Sequence, residues 1–415
     1  MTSGHRATDL RRAWPIMPDR SGGPRRAELP AEATARKTVS APEVAVVFPQ
    51  LHRSGGIERV CWDLLDYLAP RHETTFVGTV APEGTPPGVR LVPVPGSPDP
   101  GVMGMYVRRA RTRAVLERLA PEVVVTMGSV VPPGDVLWVP SVHRAWLEAA
   151  RSVPMGRFEL PARLRFAMPR HRALLAMESQ YFRDSHPRHI LCTSCREVED
   201  LHRLYGVDRS LTTVVPNPFD PERFNPERRR RDRTAARRSL RIGDDELAII
   251  FVANELHRKG FGQLVEALAL TGHRHLTLHV VGKAQLGPYR RSIRHLGLED
   301  RVHYHGPSRD VAWQFAAADL MVLPTQYEPF GLVIIEALAS GVPVITSRVA
   351  GASEAVLPGR TGLILEDPYD VEELARLIDE AAGADLETWG RRAASSVDRY
   401  RRDRVMQQVE SIVFS

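Results

Sequence analysis

The sequence predicts an α/β chain built from two doubly wound halves with a ligand cleft between them. Three observations predict it. The chain has 415 residues, too many for one core and suited to two domains of roughly 150–200 residues each. Short apolar runs alternate with amphipathic helical stretches through both halves, the pattern of parallel sheets covered on both faces. The alternation breaks at Val214-Val215-Pro216-Asn217-Pro218, a proline-rich turn that reads as the linker. The expected organisation is a disordered basic tail over 1–40, a first half over 41–216, a second half over 217–390, and a terminal helix over 391–415 that packs back on the first half.

Taken in order, 43–48 is a buried strand and 49–56 a loop. Ile57, Val60, Cys61, Leu64, Leu65 and Leu68 then repeat with helical period. Strands at 74–79 and 89–94, a helix at 103–119, strands at 122–126 and 136–139, a helix at 171–183, a strand at 189–193 and a helix at 196–205 complete the first half. The second half has strands at 247–252, 276–281, 301–304, 320–323, 342–346 and 362–365. Helices near 261–270, 288–296, 311–318, 331–339 and 371–382 separate them. The stretch 391–413 reads as one or two helices. In such a pair the strand ends, and so the ligand, face the cleft.

Composition is that of a soluble globular protein, 43% hydrophobic and 26% charged. No apolar stretch reaches the ~18 residues of a membrane span. Arg11-Arg12 is followed by Pro15, Pro18 and Asp19 and not by an apolar export segment. Three cysteines imply no disulfide framework and suit the cytoplasm. The net charge of +6 gathers in three places: the tail, the eight arginines of 228–241 on a solvated connector or helix, and 151–172 with Arg151, Arg157, Arg163, Arg165, Arg170 and Arg172. Aromatics are sparse in the first two, so no nucleic-acid platform is expected. In the third, Met155, Phe158, Leu160, Leu164, Phe166 and Met168 interleave with the arginines. It reads either as a solvated helix or as a peripheral contact with anionic membrane at the inner face.

The chemistry concentrates in 324–343, where Glu328 and Glu336 stand eight positions apart around Phe330-Gly331. One acid ahead of a helix start and one two turns inside can grip hydroxyls from two sides, while the exposed helix N–H groups suit phosphate. A carboxylate inside an apolar helix needs a partner, and a ribose diol would engage both oxygens of Glu336. Arg258-Lys259-Gly260 closes a strand-to-helix turn as a diphosphate clamp. Gly55-Gly56 offers backbone N–H groups that a side chain would obstruct. The loop Val349-Ala350-Gly351-Ala352-Ser353-Glu354 is a further ligand-facing candidate.

These pieces resemble glycosyltransferase family 4, whose members have the GT-B fold of two Rossmann-like domains. The matching elements run in the family's order: Phe48-Pro49 to Gly55-Gly56-Ile57-Glu58-Arg59; Val215-Pro216-Asn217 to Asp220, with Phe224-Asn225-Pro226; Arg258-Lys259-Gly260; Glu328-Pro329-Phe330-Gly331 to Glu336-Ala337; and Gly341-Val342-Pro343-Val344-Ile345 with Gly351-Ala352-Ser353-Glu354. The spacing from Phe251 to Gly260 is most similar to the subgroup that includes lipopolysaccharide core glucosyltransferases. The resemblance implies that Glu328 holds donor-sugar hydroxyls, the backbone at Phe330, Gly331 and Leu332 holds sugar or phosphate, and Glu336 takes the ribose diol. It further implies that Arg258 and Lys259 neutralise the diphosphate, that His143 lies beside the transferring sugar, and that Gly56 lies near donor phosphate and acceptor. Asn254 stands where many members carry arginine, and Asn217-Pro218-Phe219-Asp220 replaces the usual Asn-Gly-Val-Asp linker.

The implied function is a retaining, metal-independent transfer of a hexose from a nucleotide-sugar, expected to be a UDP-sugar, to a glycan, lipid-linked or small-molecule acceptor. No cofactor beyond the donor and no metal site are expected, since the chain has no Asp-x-Asp element. The alternatives are a non-catalytic scaffold subunit of the same fold, against which the intact Glu328, Glu336, Arg258 and Lys259 stand, and a sugar-nucleotide epimerase. A NAD-dependent dehydrogenase is disfavoured because neither half's first loop carries Gly-x-Gly-x-x-Gly. Cys192 and Cys195, His273 and His275, and His303 and His305 have ligand-like spacing but no complementary set.

Overall fold

The computed structural model describes residues 43–53, 55–97, 101–149, 152–155 and 158–415, with the backbone alone for 152–155, 158–163 and 165. The basic tail 1–40, Ser54, Arg151 and Arg157 lie outside the described residues, as do the side chains of Met155, Phe158, Leu160, Arg163 and Arg165.

The apolar runs become strands. In chain order these are β1 (Val44–Val47), β2 (Thr74–Gly78), β3 (Arg90–Pro93), β4 (Val123–Met127), β5 (Val136–Val139), β6 (Ser152–Met155), β7 (Phe158–Pro161), β8 (His189–Cys192) and β9 (Thr212–Val214) in the first half. The second half holds β10 (Leu247–Val252), β11 (Leu276–Val281), β12 (Val302–Gly306), β13 (Leu320–Leu323), β14 (Val344–Ser347) and β15 (Gly362–Leu365). The first sheet has the order β3-β2-β1-β4-β5-β8-β9 and the second β12-β11-β10-β13-β14-β15. Every pairing in both sheets is parallel. Strands β1 and β11 are buried along their whole length; β1 therefore reads as a continuous apolar run, whereas β11 also buries Thr277 and His279, whose side chains hydrogen bond each other at 3.0 Å. Chain direction across each sheet reverses at β1/β4 and at β10/β13, which leaves a crevice at the carboxyl ends there.

Helix Ile57–Leu68 buries Val60, Cys61, Leu64, Leu65 and Leu68 against the first sheet, the stripe its period predicts. The last helix, Arg402–Val413, buries Val405, Met406, Val409 and Val413 in the same core. It is tied there by Arg402 to Asp63 at 3.5 Å, by Tyr67 Oη donating to Glu410 at 3.2 Å and by His72 Nε2 to Glu410 at 2.8 Å. The linker is held as well: Phe219 N donates to the Tyr400 carbonyl at 2.9 Å, and Arg402 N donates to the Phe219 carbonyl at 3.0 Å.

Several expectations need correction. The stretch 151–172 is not one helix: β6 and β7 form an antiparallel hairpin, a 3-10 turn spans Ala162–Ala167, and helix Pro169–Asp184 begins only afterwards. Pro154 and Pro161 exclude a continuous helix there. Val214 is the last residue of β9 and not the start of a linker; three residues are too few to show a period. A short helix at His143–Ala149 carried no capping signal. The arginine run is a helix as expected but solvated on one side only: Arg230, Arg231, Arg238 and Arg241 are exposed, while Arg228, Arg229, Arg233 and Arg237 turn inward. It forms helix Pro226–Leu240, capped by Asn225 accepting from Arg228 N, and it docks on the C-terminal end of helix Val311–Ala317. Arg229 donates to the Ala318 carbonyl at 2.7 Å, Arg233 to Asp319 at 2.5 Å, and Arg237 to Asp319 at 3.0 Å and the Ala317 carbonyl at 3.2 Å. Arg228 pairs with Asp310. The last carbonyls of a helix lack intrahelical donors and carry partial negative charge, so cations belong there.

Candidate active site

Three loops at the carboxyl ends of β10, β13 and β14 are lashed into one surface. The loop after β10 meets the loop after β13 through Gln326 N donating to the Arg258 carbonyl at 2.9 Å and Arg258 Nη1 donating to the Tyr327 carbonyl at 2.8 Å. Gly260 has φ +79°, and a Cβ there would sit 2.0 Å from the Pro324 carbonyl oxygen, so only glycine lets the loops approach this closely. The loop after β14 joins through Gly351 N to the Glu328 carbonyl at 3.0 Å and Ala352 N to the Phe330 carbonyl at 2.7 Å.

On this surface the predicted residues come together. Lys259 Nζ contacts Glu328 Oε2, and Arg258 Nη1 lies 3.6 Å from the same oxygen. Arg258 also donates to Glu255 at 2.9 Å. Burial pushes the Lys259 ammonium well below its ordinary range, and neighbouring Arg258 adds to this, while the Glu255 carboxylate opposes both. The cluster holds two cations and two acids in a largely desolvated loop, where charges act more strongly than in water. Phe330 is buried, and Gly331, at φ +99°, starts helix Leu332–Ala339 with no side chain on its first N–H groups. Ile334 N donates to the Gly331 carbonyl at 2.9 Å, and the N–H groups ahead of it lack intrahelical acceptors and point out of the helix.

Glu336 is 4% exposed, and its partner comes from the other half. Arg59 Nη2 donates to Glu336 Oε1 at 2.5 Å. Arg59 lies in the first turn of helix Ile57–Leu68, directly after Gly55 (φ +110°) and Gly56, where a Cβ would meet nothing within 4 Å. Gly56 therefore faces open space at the helix start, whereas a Cβ on Gly55 would sit 2.4 Å from Glu58 Oε2. Leu332 packs on the core of the first half.

His143 is brought near from a third direction. Tyr327 Oη, beside Glu328, donates to the Val142 carbonyl at 3.3 Å, and His143 is the next residue. Its backbone N–H is held by Glu178 at 2.7 Å, and its ring Nε2 lies 3.1 Å from His171 Nδ1. Ser194 Oγ, after β8, donates to the Pro329 carbonyl at 3.0 Å, and Cys195 N donates to Glu354 at 2.9 Å. Loops from the carboxyl ends of both sheets thus meet around Glu328 and Glu336. The sequence assigns no role to Arg59, Tyr327 or Ser194, although Arg59 stands in the Gly-Gly-x-Glu-Arg element, Tyr327 in the run 324–343 and Ser194 between Cys192 and Cys195. Asn254, which stands where many family members carry arginine, accepts from Lys283 N at 3.0 Å and so joins neighbouring loops.

Of the weaker ligand-like spacings, Cys192 and Cys195 border this surface through Ser194 and the Cys195 N–H. Cys61, Cys192 and Cys195 are free, the first two buried. His279 hydrogen bonds His305 at 2.9 Å and stacks on His303, and burial with its two histidine neighbours pushes it down to about 3. Among the described residues no group of His, Cys, Asp and Glu has the geometry of a metal site.

Beneath the Pro329 contact, Glu197 is fully buried. Ser194 caps its helix, and Glu197 Oε2 accepts from Thr193 N at 2.6 Å and Thr193 Oγ1 at 2.7 Å, while Oε1 has no partner. Burial pushes its pKa up to about 8. A carboxyl raised in the folded state adds stability that is full below its unfolded value of ~4.5 and is lost as pH climbs toward 8, at about 1.4 kcal/mol per pH unit between those limits. Glu197→Gln should therefore flatten the fall in stability across that window. Urea midpoints of both proteins from pH 5 to 8 check this; parallel curves would contradict it.

Two doubly wound sheets meeting across a charged crevice define the GT-B architecture of nucleotide-sugar glycosyltransferases. The crystal structure of WaaG, a glycosyltransferase involved in lipopolysaccharide biosynthesis, superposes with a TM-score of 0.76 at 22% identity, covering 89% of this chain and 99% of that one. Anabaena Alr3699/HepE in complex with UDP-glucose superposes at 0.68 and 18% identity, covering 90% and 99%. The family model for Glycosyltransferase Family 4 matches residues 54–223, and that for glycosyl transferases group 1 matches 232–388. The chain belongs to glycosyltransferase family 4. Lipopolysaccharide glucosyltransferase WaaG of Escherichia coli (strain K12) is 26% identical over 215 residues, 51% of this chain and 58% of that protein. D-inositol 3-phosphate glycosyltransferase of Geodermatophilus obscurus is 34% identical over 206 residues, 46% and 45%. The chain spans about half the length of the curated relatives it matches.

Proposed function

We propose that this protein transfers a hexose from a UDP-sugar to a glycan, lipid-linked or small-molecule acceptor, with retention at the anomeric carbon and no metal or cofactor beyond the donor. The observation that carries the reading is the Arg258–Lys259–Glu328 cluster beside an uncapped helix start at a switch point. Glu328 compensates the two cations. Donor binding exchanges partners: the diphosphate takes Arg258 and Lys259, and Glu328 turns to sugar hydroxyls. The backbone at Phe330, Gly331 and Leu332 meets sugar or phosphate, Glu336 takes the ribose, Gly55 and Gly56 face the phosphates, and His143 lies on the sugar's open side.

As the bond from anomeric carbon to phosphate oxygen breaks, negative charge grows on the β-phosphate. The two cations and the helix N–H groups are already aimed there and need no reorganisation. On the retaining route the acceptor oxygen attacks the same face, and its proton passes to the departing phosphate oxygen. The acceptor side lies in the first half. The relatives' names, one a lipopolysaccharide glucosyltransferase and one acting with D-inositol 3-phosphate, keep the acceptor class broad. Among the described residues no helix is long and apolar enough to cross a membrane. The free cysteines suit a reducing cytoplasm.

A panel of UDP-, GDP-, ADP- and TDP-sugars tests the reading by thermal shift and by slow donor hydrolysis with EDTA present. The expected result is stabilisation and turnover with one UDP-hexose, unchanged by EDTA. Absence of any shift with every nucleotide-sugar would overturn it.

A further inference from the structure

The Arg59–Glu336 pair joins residues 277 positions apart and from opposite halves. Its side chains are 22% and 6% exposed. Burial works against the Arg59 charge, and Glu336, Asp63 and Asp220 more than offset it. Asp63, one turn on along the same helix and itself pushed up to about 6 by burial, lies 3.5 Å from Arg402. Glu336, Arg59, Asp63 and Arg402 thus form a line of alternating charge from the second half, through the first turns of helix Ile57–Leu68, into the C-terminal helix. Arg59 engages Oε1 of Glu336. An ionised carboxylate has about four lone-pair sites, so one guanidinium N–H leaves room for a diol on the other oxygen.

We propose that Arg59 is a positioning residue for nucleotide recognition: it reaches across from the acceptor-side half and sets the Glu336 carboxylate for the ribose hydroxyls. Recognition of the nucleotide is thereby complete only when the halves are together. Without Arg59 the carboxylate keeps its charge but loses its fixed orientation, and the diol must order it at a cost in affinity. The inference rests on the reading of Glu336 as the ribose ligand.

The test uses the full chain, UDP and 2′-deoxy-UDP in titration calorimetry, and donor kinetics. Arg59→Ala should weaken UDP about ten-fold, the scale of one charged hydrogen bond. It should also shrink the preference for UDP over 2′-deoxy-UDP and raise donor KM more than it lowers kcat. Arg59→Lys should recover part of both effects. Arg59→Gln keeps a polar side chain without the charge or the reach of the guanidinium and is read the same way if the alanine variant does not fold. Wild-type affinity and preference in the uncharged variant, or tighter UDP binding, overturns the inference. Glu336→Ala separates the two readings. If it abolishes the ribose preference while the uncharged Arg59 variant is normal, this inference alone fails. If it leaves UDP binding unchanged, the ribose reading falls and this inference falls with it.

Discussion

Replacing Arg258 and Lys259 together by alanine is expected to lower turnover by about two to three orders of magnitude, the range seen when a preorganised donor to a developing charge is removed. The two side chains are 23% and 12% exposed, so little water reaches the site to substitute for them. Both converge on Glu328 Oε2, which places the positive charge within one carboxylate's reach of the sugar end. Their loss affects the transition state more than the bound ground state, because charge on the departing phosphate grows as the bond breaks. Acceptor KM should change little, and kcat should carry the effect. The variant also leaves Glu328 buried without its cations. Circular dichroism and the unfolding midpoint must therefore accompany the rates. A folded double variant with turnover within three-fold of wild type would contradict the clamp.

Glu336→Ala should weaken UDP binding by about 2–3 kcal/mol, roughly 30- to 150-fold, because charged hydrogen bonds to the ribose are lost. The helix around it is Leu332-Val333-Ile334-Ile335 and Ala337-Leu338-Ala339, so no neighbouring polar side chain on that helix can take over. Calorimetry gives the dissociation constant directly; a value within two-fold of wild type refutes the ribose role. The substitution also strands Arg59, a partly buried cation, and a lower unfolding midpoint is expected with it.

Much of this was legible in the sequence for a physical reason. Strands buried on both faces are mostly apolar, so 44–47 and 247–252 announce themselves, and 276–281 does so despite its buried Thr277 and His279. Glycines that permit a close loop approach, such as Gly260 against Pro324, stand inside the motifs that carry charge. What failed was short or long-range. The three residues of β9 are too few to display a period, and in the hairpin β6–β7 a handful of apolar residues fits strand and helix alike. Arginine content in 228–241 gave the charge but not its destination, the carbonyl end of helix Val311–Ala317, some 80 residues on. Arg59 was visible as a residue, yet its partner lies 277 positions away, and no local pattern encodes that.

The backbone bonds that tie Phe219 to Tyr400 and Arg402 set two traverses of the polypeptide between the halves side by side. A single tether would let the halves wander in every direction. Paired at one spot, the traverses act as two pins of a door and confine motion to a swing about the line through them. Cutting the chain before residue 400 would pull one pin, and the catalytic faces would then have to find each other by diffusion.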